Sequence, residues 1–175
     1  MLQSRFFVCT AMILVAVMTR LIPHPMNFSP ILAIALFSGA HFVNKRDSIL
    51  VPVLAWFLSD LILGFHSLQP LIYGLAALMA MAGWYLQKNS SATRVLGFSA
   101  LGSVVFFLVT NFFVWLTSGI YNLDMTGFIQ CYVLAIPFFQ NSLLGDMFFS
   151  VALFGGFHLL ERNGFVSPAY TISKN

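Results

Sequence analysis

Arg20, Asp60, Asn111 and Asp146 stand inside or at the ends of long apolar runs. Placing such groups away from water costs free energy, so each marks a position where something must compensate it. More polar side chains gather near them in sequence. His24 and Asn27 follow Arg20 in a proline-rich stretch, and His66 lies six residues after Asp60, about 9 Å along a helix. Trp115 follows Asn111 by one helical turn, Gln140 and Asn141 precede Asp146, and Tyr121, Asn122 and Asp124 fill the stretch between. These residue types suit the orientation of a small, polar or part-aromatic ligand. Carboxylates and amides would hold it by hydrogen bonds, while Trp115 and Phe138 would give it a surface to stack on.

Plainer roles stand beside that one. Asp60 and Asp146 paired with Arg20 would tie three helices together, and Asn111 and Gln140 would serve as interhelical hydrogen-bond glue. Trp115, Tyr121, Trp84 and Tyr85 suit the interfacial belt of a membrane protein, and His41 and His158 an inner boundary. His24, His66 and Asp60 could ligate a metal, but no ligand spacing supports it. Paired carboxylates could also serve acid–base chemistry. No HExxH, GxSxG or phosphate loop accompanies them, so the expectation is a protein without catalysis, cofactor or metal.

The elements that position these groups follow from composition. Of 175 residues, 59% are hydrophobic and 7% charged, and the mean hydropathy is +0.90. A soluble domain carries roughly 25% charged residues to face water; this chain has far too few, and lipid is the expected solvent. The net charge of +3 is small and scattered, which excludes a nucleic-acid footprint. Cys9 and Cys131 sit inside apolar runs and suggest neither a disulfide framework nor a metal site. Arg5 and the apolar run behind it resemble a signal peptide, but no small-x-small cleavage site follows, and a first span is expected there.

Apolar runs fall at about 5–22, 31–44, 49–65, 71–87, 95–118 and 142–160. They predict an all-α, six-span membrane protein forming one domain over residues 1–175. The apolar piece at 128–139 is too short to span and contains Pro137, which predicts a re-entrant or interfacial segment before the last span, with a tail at 163–175. Pro23, Pro25 and Pro30 predict a stiff, structured loop between the first two runs. Small-residue faces at Ala76/Ala80/Gly83, at Ser99/Ser103 and at Gly155-Gly156 predict close helix contacts. With both termini in the cytoplasm, seven of the eight Lys and Arg residues lie inside and only Arg20 outside. The embedded polar groups then converge on the outer half, as an externally open cavity would require.

Four patches resemble a known family. Arg20-Leu-Ile-Pro-His-Pro-Met-Asn-Phe-Ser-Pro30 leads into a short helix rich in small residues. Ser59-Asp60, Val109-Thr-Asn-Phe-Phe-Val-Trp115 and Ile136-Pro-Phe-Phe-Gln-Asn-Ser-Leu-Leu-Gly-Asp146 complete the pattern. Together they are similar to an uncharacterised family of small bacterial membrane proteins related to the substrate-binding S components of energy-coupling-factor vitamin transporters. The resemblance implies a protein of the bacterial inner membrane that captures a small molecule, such as a vitamin or related micronutrient, from the outer side. It also implies docking on a transmembrane coupling subunit driven by ATPases. The ligand-binding candidates it matches are Arg20, Asn27, Asp60, Asn111, Trp115 and Asp146, to which Phe138 and Asn141 are added. Phe149 stands where biotin-type members carry a lysine, Ala11 and Ala16 are spaced differently from their docking face, and Cys9 and Cys131 match no ligand cysteine of cobalamin-binding relatives.

Overall fold

The computed structural model describes residues 4–166. The described chain is all-helical, with no strand. Its six α-helices are α1 (Arg5–Met18), α2 (Ile31–His41), α3 (Lys45–Leu63), α4 (Gln69–Gly83), α5 (Ala92–Thr117) and α6 (Met125–Arg162). Short 3-10 turns, Thr19–Leu21 and Trp84–Leu86, extend α1 and α4. Two of the helices, α5 and α6, are long and apolar enough to cross a membrane, with mean hydropathies of 1.9 and 1.6 over their best windows. The tail expected at 163–175 lies, from residue 167 on, outside the described residues.

The centre of the bundle is α2. All of its residues are buried, and it touches α1, α3, α4, α5 and α6. A helix apolar around its whole circumference has no face to give to water, so the others surround it. Close approach to α4 is made possible by Gly39 and Gly83. A Cβ on Gly39 would run into the Ala80 carbonyl, and one on Gly83 into the carbonyl of Leu36. Ala80 and Gly83 belong to the small-residue face visible in the sequence. Of the other two faces, Ser99 and Ser103 do meet α6, and of the glycine pair Gly156 lies against Met12 of α1 while Gly155 faces open space.

A buried helix cannot leave its end groups to water, and side chains from other elements satisfy those of α2. At its C-terminal end Arg5 donates to the His41 carbonyl at 3.0 Å and to Glu161 at 3.0 Å. Gln87 donates to the carbonyls of Gly39 and Phe42 at 2.9 and 3.2 Å. His41 is packed away there, its ring stacked on Phe37 at 4.4 Å. At the N-terminal end the carboxyl of Asp146 faces the Leu32 and Ala33 amides.

The re-entrant or interfacial segment expected at 128–139 is not a separate element. Those residues belong to α6, which runs unbroken through Pro137. Proline removes one backbone donor and crowds the preceding turn, but contacts with α5 on both sides of it hold the helix together. Tyr132 Oη donates to the Leu108 carbonyl at 2.7 Å, and Phe139 packs on Phe107 at 4.8 Å. Asp124 caps the start, accepting from the Gly127 amide at 2.7 Å.

Candidate functional site

At 11 residues, α2 is the shortest helix. Beyond its N-terminal end lies a cavity of about 220 Å³, covered by the proline-rich loop. Arg20, His24, Asn27 and Ser29 line it from the loop side, Ile31 and Leu32 from α2, and Trp56, His66 and Ile72 from α3, α4 and the turn between them. Phe106 of α5 and Ser142 and Asp146 of α6 close the far wall.

The loop is held in shape by its sequence. A turn closed by the Phe28 amide on the Pro25 carbonyl at 3.0 Å places Asn27 at φ 62°. Asn tolerates this left-handed conformation better than other residues that carry a Cβ. Phe28 then packs on Phe148 and Phe149 at 5.9 and 5.7 Å, and Asn141 donates to the Met26 carbonyl at 3.0 Å. The loop passes so near α6 that a Cβ on Gly145 would lie 3.0 Å from the Ser29 nitrogen.

Under the loop, Arg20 is anchored by α3 and α4. Its Nη1 donates to Asp60 at 2.7 Å and to the Ser59 hydroxyl, and its guanidinium stands 3.6 Å from the centre of the Trp56 ring. Asp60 is fully buried, and Gln69 and Tyr73 donate to its second oxygen, Tyr73 at 2.6 Å. The carboxylate is thus spent on protein donors, as a buried charge requires. Trp56 and Asp60 share one face of α3, and Gln69 and Tyr73 one face of α4, each pair one turn apart. The Nε and Nη2 groups of Arg20 donate to nothing among the described residues.

Asp146 does not pair with Arg20. One of its oxygens accepts from Ser103 at 2.6 Å, while the carboxyl also meets the amides that begin α2. Positive helix ends favour such a group. The same Ser103 hydroxyl lies 3.1 Å from the Ser99 carbonyl, so its one proton is shared between two acceptors, and Ser150 donates to the Ser99 hydroxyl at 3.2 Å. The buried Ser29 hydroxyl has no partner among the described residues.

Of the eight candidates, Arg20, Asn27 and Asp146 line the cavity; Asp60 lies behind Arg20, and Asn141 braces the loop. Asn111, Trp115 and Phe138 do not reach it. Asn111 bonds its own helix at the Phe107 carbonyl (2.8 Å), Trp115 bonds the Asn122 carbonyl (2.9 Å), and Phe138 is exposed. They stand farther along the α5–α6 hairpin, beyond the level at which Phe106 meets the cavity. The residues not foreseen as site members are Trp56, Gln69, Tyr73, Ser103, Phe106 and Ser142. The one-turn spacing from Asp60 carried a signal for Trp56 alone. No group of three or more potential metal ligands occurs among the described residues.

A family model described as "Family of unknown function (DUF6580)" matches residues 1–169. No curated protein and no solved structure matches the chain.

Proposed function

The chain belongs to that family of unknown function, and from its cavity we propose an integral membrane protein that captures a small solute from the outer side, in the manner of a transporter S component. The observation that carries the proposal is Arg20: a guanidinium locked in place by Asp60, with Nε and Nη2 left over, on the wall of a cavity under a braced loop. An anchored donor pair on the wall of a concave space is how a binding site fixes a ligand without reorganising.

In this proposal all six helices enter the bilayer and both termini are cytoplasmic. Exposed large apolar side chains on α1, α3, α5 and α6 support a lipid surround, as does the distribution of Lys and Arg. With only 11 residues, about 16 Å of rise, α2 needs the loop before it to complete its passage. The 38 residues of α6 extend about 57 Å, so its first turns stand in or beyond the outer headgroups. A coupling subunit with ATPases would supply the energy for transport.

Denaturing the purified protein and identifying released small molecules tests this. One compound in stoichiometric amount, lost when Ser142→Leu fills the cavity, supports capture. A second reading, a structural or assembly protein, is favoured by the fact that Asp60 and Asp146 are both spent on protein donors. No released compound, with Ser142→Leu and Asn27→Gly behaving as wild type, would decide for it. Release of a processed product would point to catalysis.

A further inference from the structure

A second hollow, of about 170 Å³, lies between α4 and α5. Leu78 and Ala82 of α4 and Leu101 and Val105 of α5 line it, and no charged side chain does. Met79 lies against Gly102, where a Cβ would meet its Cε at 2.6 Å, and so closes the space between the two helices. Leu78 and Leu101 are more than half exposed, so the hollow is a groove open to the side of the bundle.

Leu32 and Phe106 line both this groove and the polar cavity, so the two spaces share a wall. Neither space alone reaches the roughly 300 Å³ at which pockets for organic ligands begin, whereas the two together do. The polar end offers a specific shape of donor. With Nη1 taken by Ser59 and Asp60, Arg20 presents its Nε–Nη2 edge, two parallel N–H groups that match a planar carboxyl. Asp60 already balances the guanidinium charge, and Asp146 stands across the cavity, so a head carrying at most one charge fits better than a phosphate dianion.

We propose that the captured solute is an amphiphile, with a small carboxyl head on Arg20 under the proline-rich loop and an apolar body passing Phe106 into the groove between α4 and α5. This rests on the capture reading and specifies its ligand. Trp56, beneath the guanidinium, reports on the head position.

The test uses the full chain in lipid nanodiscs, with Trp84→Phe and Trp115→Phe leaving Trp56 as the only tryptophan. Bromine quenches tryptophan at short range, so α-bromododecanoic acid should quench Trp56 saturably. The short α-bromopropionic acid and the headless bromododecane should each need at least about tenfold more. Ala82→Phe, which fills the groove from an outer position, should weaken the long acid by about the same factor and leave the short one unchanged. Equal binding of long and short acids, indifference to Ala82→Phe, or equal quenching by bromododecane each overturns the amphiphile. Capture of a compact solute would survive those results, provided that denatured wild-type protein still releases one compound. If the tryptophan replacements prevent folding, the thermal shift of the wild-type chain by dodecanoic against butyric acid gives the same comparison.

Discussion

Asp60 accepts from Arg20, Gln69 and Tyr73 within a fully buried setting, so its removal strands a cation and two donors at once. Breaking such a pair from one side costs about 3–5 kcal/mol. Asp60→Ala should therefore lower the thermal midpoint steeply in detergent, whereas Tyr73→Phe, which removes one neutral donor, should cost about 1 kcal/mol. Equal small shifts for both variants would show that the carboxylate is not the keystone of the network. Asn27 poses the opposite case. At φ 62° a glycine is unstrained and an alanine is not. Asn27→Gly should leave the midpoint near wild type, while Asn27→Ala should lose about 1–2 kcal/mol. Only part of this was legible in the sequence. Asp60 and Arg20 stood out as polar groups in apolar surroundings, and their pairing was one of the options. Gln69 and Tyr73 did not stand out, because a cross-helix hydrogen bond depends on how α3 and α4 are rotated about their axes. Asn111 and Trp115 were misleading for the same reason: polar residues on the right helix, but above the cavity and turned to partners of their own.

Among the elements, α2 and α6 depart furthest from what their residues alone suggest. Proline was expected to break the chain at 137, and a local rule offers no other outcome. The helix persists because its two halves are fastened to α5 separately, which no window of sequence reveals. Restoring the missing amide should then be favourable. Pro137→Ala should raise the thermal midpoint, by up to about 3 kcal/mol of stability. A fall in the midpoint would show that a break at this position is needed after all. The shortness of α2 was legible from its fencing prolines, and so was its freedom from charge. Its full burial, and the use of Asp146, Arg5 and Gln87 to satisfy its ends, were not. Those three residues come from elements remote in sequence, and only the assembled bundle brings them to one axis.

At the scale of the molecule, the proposed orientation makes a labelling prediction. Cys9 and Cys131 are buried and should resist a membrane-impermeant maleimide in the intact fold. A cysteine introduced as Asn122→Cys, between α5 and α6, should react in intact cells. Ser90→Cys, between α4 and α5, should react only after permeabilisation. The reverse pattern would invert the topology and close the cavity to the outside. Composition pointed to a membrane chain, since thirteen charged residues cannot coat a surface in water, and α5 and α6 are long and apolar enough to cross one. The gathering of polar groups was legible only in part: Arg20, Asn27 and Asp146 line one cavity, whereas Asn111 and Trp115 bond elsewhere.

The contact between α2 and α4 carries a mechanical consequence. Where Gly39 and Gly83 let two backbones touch, there are no side chains to slide or change rotamer, so this contact leaves little room for α2 and α4 to shift against each other. In the proposed capture, any widening of the bundle has to be taken up by other parts, namely the loop over α2 and the α5–α6 hairpin, which meets α4 and α2 through Met79 and Phe106. A load placed on that hairpin from outside the bundle would be felt first at Phe106, the hinge between the polar chamber and the apolar groove.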